Sequence, residues 1–329
     1  MSGGGVDTHE TKALSLSATP SSQVSQDLRR LTGDEPIGNL SFMQYKALAR
    51  PHEAWVLAYD LGGSRTIYGL AVLQSGRLNR GMRVTLPAMA ALEGAKLLEA
   101  IDGFASGHRV TNLVIEVIGR EPCRMPTLPD ELPKGEGWIY VIPLFGEAPD
   151  ARFSANHRRN IRKAEKGSVS TLELASNQAV ESHVRMCNAS NERREGRGEP
   201  IRQVVREQDV LDLLQTGKAR LYQAGVGGAV LSSKLIVTLE DGAFFDTAGT
   251  SPAGNKLGAS HFLMAHIINT LRAEGVQTFN LGLSDEARPG LSRYKAGFGA
   301  DRYAFQRITI NRAGPFRRAL SAVPKWFAQ

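Results

Sequence analysis

The residues best equipped for chemistry lie in the last third of the chain. Gly282–Ala300 reads GLSDEARPGLSRYKAGFGA and places Arg293, Tyr294 and Lys295 just before Gly297 and Gly299, which flank Phe298. Cations at the open edge of a sheet hold a phosphate or a developing oxyanion. Lys295 is the candidate for charge stabilisation, Tyr294 a candidate proton donor to a leaving group, and Ser284 and Arg293 candidate substrate contacts. A tight turn with solvated cations is the competing reading. Asp246, inside the apolar run AFFDTAG, is the candidate base, with an outward-facing strand residue as its alternative. Gly254–Ser260 (GNKLGAS) puts small residues at a helix start, where backbone amides suit a pyrophosphate. Gly254, Asn255, Lys256, Leu257, Gly258 and Ala259 are thus the candidate cofactor-binding residues, against a plain glycine cap. Arg158, Arg162 and Lys166 recur every four residues on one helix side. They form a candidate anion-binding face, or the solvated side of a connector.

These residues need a frame. Ala243–Gly249 reads as a strand and Thr250–Leu257 as a turn segment. Gly258–Glu274 reads as an amphipathic helix carrying Leu263, Ile267 and Leu271 on one face, and Gly275 ends it. Gln277–Leu283 is the next strand. A strand–helix–strand crossover makes the strands parallel and right-handed, so their C-terminal ends share one edge. Open α/β sheets bind ligands at that edge.

The same order occurs earlier. Strands over Ala54–Tyr59, Thr66–Gln74 and Met82–Leu86 precede a helix from Ala88 to Phe104 and a strand at Asn112–Val117. In the second half, strands over Ala219–Ala224, Ser233–Leu239 and Ala243–Gly249 answer them at a constant offset. Gly227-Gly228 corresponds to Gly62-Gly63 and Gln277 to Asn112. The pattern predicts a structural duplication. The expected organisation is a disordered tail over 1–20, an N-terminal unit over 21–150 and a basic linker helix over 151–167. A catalytic unit follows over 168–311, then a tail over 312–329. Ser154 caps the linker helix and Gly167 closes it. Asn177–Ala189 and Arg206–Leu214 read as helices separated by the charged loop Ser190–Pro200.

Composition sets the bounds. The chain has 329 residues, 42% of them hydrophobic, with mean hydropathy −0.23, as expected of a soluble protein. No apolar run approaches the roughly 18 residues of a membrane helix. The first residues carry no basic segment followed by an apolar core, so a cytoplasmic location is expected. Cys123 and Cys187 read as free thiols in a reducing compartment. The net charge of +7 is concentrated in Arg152–Lys166 and in the segment from Arg302 onward. It suits a phosphorylated substrate, RNA or an anionic surface, or marks a solvated face. Phe316, Trp326 and Phe327 among basic residues suggest a peripheral membrane contact, whereas Pro315 and Pro324 favour a tail packed on its own domain. No Walker loop, His-Glu-x-x-His helix or Gly-x-Ser-x-Gly elbow is present, and no metal site is expected. His261 and His266 read as packing residues.

AFFDTAG, SPAGNKLGAS and TFNLGLS resemble the acyl-CoA core of the GNAT acyltransferase fold. The usual Arg/Gln-x-x-Gly-x-Gly/Ala motif reads Asn255-Lys256-Leu257-Gly258-Ala259-Ser260 here, departing at its first and last positions. The duplication, the basic segment SANHRRNIRKAEKG and the ending SRYKAGFGA resemble FemAB-like transferases and the BioF-like acetyltransferases of polysaccharide clusters. The family's Phe-Lys-x-Gly-Phe-Gly motif is matched by Tyr294-Lys295-Ala296-Gly297-Phe298-Gly299. The resemblance implies an α/β fold of two GNAT-like domains, each a mixed central sheet flanked by helices. It implies Lys295 near the reacting carbonyl, acyl-CoA (acetyl-CoA) or aminoacyl-tRNA as donor, and an amine of a cell-envelope or polysaccharide precursor as acceptor. That acceptor is an anionic small molecule, sugar-nucleotide or glycan, and DNA is not an expected partner. The alternatives are an acetyl-CoA-dependent amino-sugar N-acetyltransferase and a non-catalytic anion- or RNA-binding protein on a transferase fold.

Overall fold

The computed structural model describes residues 15–20, 54–60, 66–75, 80–87, 94–120, 134–174, 176–198, 204–239, 242–284 and 288–312. Gly62-Gly63, Cys123 and the aromatic tail residues lie outside these. The strands are β1 Ser15–Pro20, β2 Ala54–Asp60, β3 Thr66–Ser75, β4 Arg80–Pro87, β5 Asn112–Gly119 and β6 Lys134–Pro143. They continue as β7 Ser170–Leu174, β8 Ala219–Val226, β9 Ala229–Leu239, β10 Gly242–Thr250, β11 Thr278–Ser284 and β12 Asp301–Asn311. The helices are α1 Gly94–Gly107, α2 Ala155–Lys166, α3 Asn177–Glu195, α4 Glu207–Gln215, α5 Pro252–Leu257, α6 Ala259–Ala273 and α7 Pro289–Ala296.

The twelve strands among the described residues join one sheet in the order β1-β2-β3-β4-β5-β12-β6-β11-β10-β9-β8-β7. The halves mirror one another about its centre. β4 and β5 pair in parallel, as do β10 and β11. β6 and β12 close the two repeats, and each has crossed over: β12 lies against β5, and β6 lies against β11. β6 falls within 21–150 by sequence but completes the second half of the sheet. Helices cover both faces. α6 lays Leu263, Ile267 and Leu271 against one face with no exposed surface, and Ala179 and Val180 of α3 with Val210 of α4 pack the other. The central seam also holds a buried ion cluster. Glu116 on β5 receives Arg83 of β4 at 3.1 Å and Arg307 of β12 at 2.8 Å.

Several boundaries differ from the sequence expectation. Residues 15–20, expected within a disordered tail, form an edge strand paired with β2. The charged stretch after Ala189 continues as helix to Glu195, because Arg193 ties its last turn to the Ser190 hydroxyl and the Thr250 carbonyl. Thr250–Leu257 is not a turn throughout: Ser251 caps α5 by accepting from the Gly254 amide, with Pro252 at its first position. Gly227 and Gly228, at φ +57° and +80°, make the hairpin between β8 and β9.

Candidate active site

The sheet opens at one place. β10 and β11 pair only from Gly242 to Phe244, then part. Both are bulged there, β10 between Phe245 and Thr247 and β11 between Asn280 and Gly282. Bulges bend strands and end their pairing. In the first half, β4 and β5 stay paired through Pro87 and Ile118, so no such opening exists between them.

A cavity of about 320 Å³ lies at this opening. Phe245, Thr247 and Ala248 of β10, Ser260 and His261 of α6, and Leu291, Tyr294 and Lys295 of α7 line it. α3 adds Cys187, Arg193 and Arg194, with Arg197 just beyond its end, and β9 adds Lys234. Among the described residues that line it, none is Asp or Glu. The cations fall into two tiers: the three arginines are partly or fully exposed at the rim, whereas Lys234 and Lys295 are buried at the floor.

Lys295 is buried by the carbonyls that receive it. Its Nζ donates to Gly282 O at 2.9 Å and Leu283 O at 2.8 Å, pinning α7 to the β11 bulge, and lies 5.9 Å from the Tyr140 ring of β6. Tyr294 reaches α6, where its hydroxyl meets Ser260 Oγ at 2.9 Å. Burial pushes the Tyr294 hydroxyl well above the ordinary tyrosine range.

Lys234 drew no attention in the sequence. It is 1% exposed, and its Nζ donates to Ser260 Oγ at 3.0 Å beside the rings of Phe245 and Tyr294, 5.5 and 5.8 Å away. Burial pulls its ammonium down from 10.5 to about 7. The signal was present: Ser232-Ser233-Lys234 interrupts an apolar strand buried on both faces. The rim arginines were also missed, having been read as part of a solvated loop.

On the opposite face of β9, His183 Nδ1 meets Ser233 Oγ at 2.8 Å and Nε2 meets Thr247 Oγ1 at 3.0 Å. Cys187 Sγ lies 3.5 Å from the same Nε2. Desolvation, reinforced by Lys234, holds His183 near 4, and burial beside His157 and Lys234 holds His261 near 4.

Other expected site residues are placed elsewhere. Asp246 is the bulge residue of β10 and accepts from the Thr247 hydroxyl, and it is not among the cavity-lining residues. As the bulge residue it stands outside the lining to which Phe245 and Thr247 contribute. Gly254, Asn255, Lys256, Leu257, Gly258 and Ala259 do not form an open phosphate loop. A Cβ on Gly254 would overlap the Leu231 carbonyl, and one on Gly258, at φ +78°, would overlap that of Asn160 on α2. The glycines allow close packing, and the amides of Gly254, Asn255 and Gly258 bond to Ser251 Oγ, Ser251 O and Asn255 O. Only Asn255 of this group lines the cavity. Arg158 and Arg162 are exposed on α2, outside the cavity wall. Arg293 is exposed and bonded to Pro289 O, and Ser284 is buried against the Ser292 hydroxyl.

α2 acts on the site through its packing. His157 Nε2 donates to Tyr294 O at 2.9 Å, since a carbonyl only accepts, and Nδ1 therefore accepts from the Ser154 hydroxyl at 2.9 Å. A Cβ on Gly297 would overlap the His157 ring, and Phe298 packs beneath it at 4.4 Å between centroids. The aromatic-glycine motif is thus the seat of the linker helix, and it fixes Tyr294 and Lys295 at the cavity. Among the described residues, no group of three or more His, Cys, Asp or Glu side chains gathers in a metal-binding arrangement. No helix among them is long and apolar enough to cross a membrane.

Residues 151–296 match the model of the acetyltransferase (GNAT) domain. No curated protein matches the chain. Among solved structures, the chain is similar to FemX, with a TM-score of 0.57 and 12% identity over 92% of this chain and 99% of that one. It is similar to a conserved protein of unknown function from Bacteroides thetaiotaomicron VPI-5482, with a TM-score of 0.50 and 10% identity over 87% and 97% of the chains. A tandem GNAT protein from the clavulanic acid biosynthesis pathway matches with a TM-score of 0.49 and 16% identity over 92% and 99%. Residues 151–296 are thus an acetyltransferase (GNAT) domain by their match, and the likeness to FemX shows that the chain as a whole shares that fold.

Proposed function

We propose that the protein transfers an acyl group from a phosphate-bearing donor to an amine, by direct attack within the cavity between β10 and β11. The cationic lining carries this reading: among the described residues it has three arginines at the rim, two buried lysines at the floor and no carboxylate. Arginine clusters bind phosphate through paired N–H donors, and a volume of about 320 Å³ suits a small acyl group and the attacking amine. Acyl-CoA, across its pantetheine arm, and aminoacyl-tRNA, next to its terminal ribose, both join phosphates to an activated acyl carbon, and either would place phosphates against Arg193, Arg194 and Arg197. The chain positions the reactants and stabilises developing charge, so no covalent nucleophile is needed. The acceptor in this reading is an amine of a cell-envelope or polysaccharide precursor in the cytoplasm, as the FemAB-like resemblance implies.

Calorimetric titration with acetyl-CoA, desulfo-CoA and an aminoacyl-tRNA mixture tests it. One donor class is expected to bind, with affinity lost at least tenfold in Arg193→Gln/Arg197→Gln. Desulfo-CoA binding would identify the CoA class. Absence of binding by all three would overturn the reading.

A further inference from the structure

We propose that Lys234 is the proton acceptor of this transfer, working through the hydroxyl of Ser260. The inference rests on the acyl-transfer reading and assigns the base, a role left open once Asp246 is placed outside the cavity wall.

Lys234 meets the geometric needs of a base. It lines the cavity floor, and its Nζ hydrogen-bonds at 3.0 Å to Oγ of Ser260, itself a lining residue. Ser260 Oγ also meets the Tyr294 hydroxyl at 2.9 Å, so three polar atoms form a continuous relay along one wall. Among the described groups facing the amine, the Cys187 thiol favours its charge, and burial outweighs that contribution. α3 presents the Cys187 thiol and the rim arginines, with His183 across the strand. α6 presents His261, and α7 presents Tyr294 and Lys295. Among the described residues none of these is a carboxylate, and the described cavity wall offers the amine no carboxylate counter-ion. Its fall to about 7 agrees with that setting.

The steps balance. The neutral acceptor amine attacks the acyl carbon, a C–N bond forms, and the carbonyl electron pair moves onto oxygen. The surplus proton on nitrogen passes to Ser260 Oγ as the serine proton passes to the Lys234 amine. The oxygen electron pair returns, and the bond from acyl carbon to the donor's sulfur or ribose oxygen breaks. The leaving atom takes its proton back along the same relay. The products are an amide and a thiol or hydroxyl, and the enzyme ends as it began. Nearby Cys187 is not required as a nucleophile.

The test has two arms. In protein carrying ε-¹³C-labelled lysine, the Lys234 resonance, assigned by its loss in Lys234→Met, is followed from pH 5 to 11. A midpoint near 7 is expected, and an ammonium that stays charged past pH 9 would overturn the proposal. In the second arm, kcat/KM is measured against pH with whichever donor the titration selects. Lys234→Arg keeps the positive charge but cannot give it up. It should retain donor Kd within about threefold while losing rate by roughly 100-fold or more, with the rising limb near pH 7 abolished. Wild-type rate and pH profile in Lys234→Arg would overturn the assignment. Failure of donor binding would count against the acyl-transfer reading alone, since the resonance titration needs no donor.

Discussion

Removing the Lys234 charge should stabilise the fold, in a pH-dependent way. The unfolded lysine titrates at 10.5 and the folded one at about 7. Each pH unit of that gap corresponds to 1.36 kcal/mol, so burying the ammonium costs on the order of 5 kcal/mol. Lys234→Met keeps an unbranched side chain between Phe245 and Tyr294 and leaves Ser260 paired with Tyr294, at the loss of one hydrogen bond of about 1 kcal/mol. Allowing for relaxation around the charge, a net gain of about 3 kcal/mol is expected below pH 7, or roughly 5 °C in Tm for a chain of this size. The folded state holds fewer protons than the unfolded state between pH 7 and 10.5. Wild-type stability therefore rises with pH across that window, and the advantage of Met shrinks by up to 1.36 kcal/mol per unit. It should vanish by about pH 9. Thermal unfolding of both proteins at pH 6, 7, 8 and 9 measures the difference directly. A Met variant less stable than wild type at pH 6, or an offset constant from pH 6 to 9, would refute this account.

Three further predictions concern the frame. Glu116→Gln leaves Arg83 and Arg307 facing a neutral amide at the seam between β4, β5 and β12 and should cost about 3 kcal/mol in urea unfolding. Gly297 sits at φ −66°, which any residue adopts, so Gly297→Ala should destabilise only through the His157 ring, by about 2 kcal/mol. Adding His157→Ala should recover part of that loss, and simple additivity in the cycle would remove the contact from the explanation. His183 and His261 are held near 4, below the ordinary 6.5, so the unfolded state binds more protons between those values. Stability should be full above pH 6.5 and fall as the pH drops towards 4, and His183→Gln should flatten the slope of the urea midpoint over that range.

Local patterning was legible in the chain. β8, β10 and β11, the buried Leu263–Ile267–Leu271 stripe and the Ser154 cap follow from side-chain period and capping chemistry, which act over a few residues. The GNAT-type fold could be read from the strand, loop and helix motifs between Ala243 and Leu283. The use of the glycines could not: Gly258 and Gly297 look the same in sequence whether they face a ligand or, as here, Asn160 and His157. The exchange of β6 and β12 was equally hidden, since a strand's pattern records that it is buried and not which neighbour pairs with it. Lys234 shows the same limit at the level of charge. Its sequence shows a cation in an apolar strand. Only the packing of α6 and α7 over β9 decides that it meets Ser260 and two aromatic rings instead of water or a carboxylate, and so loses its proton near neutrality.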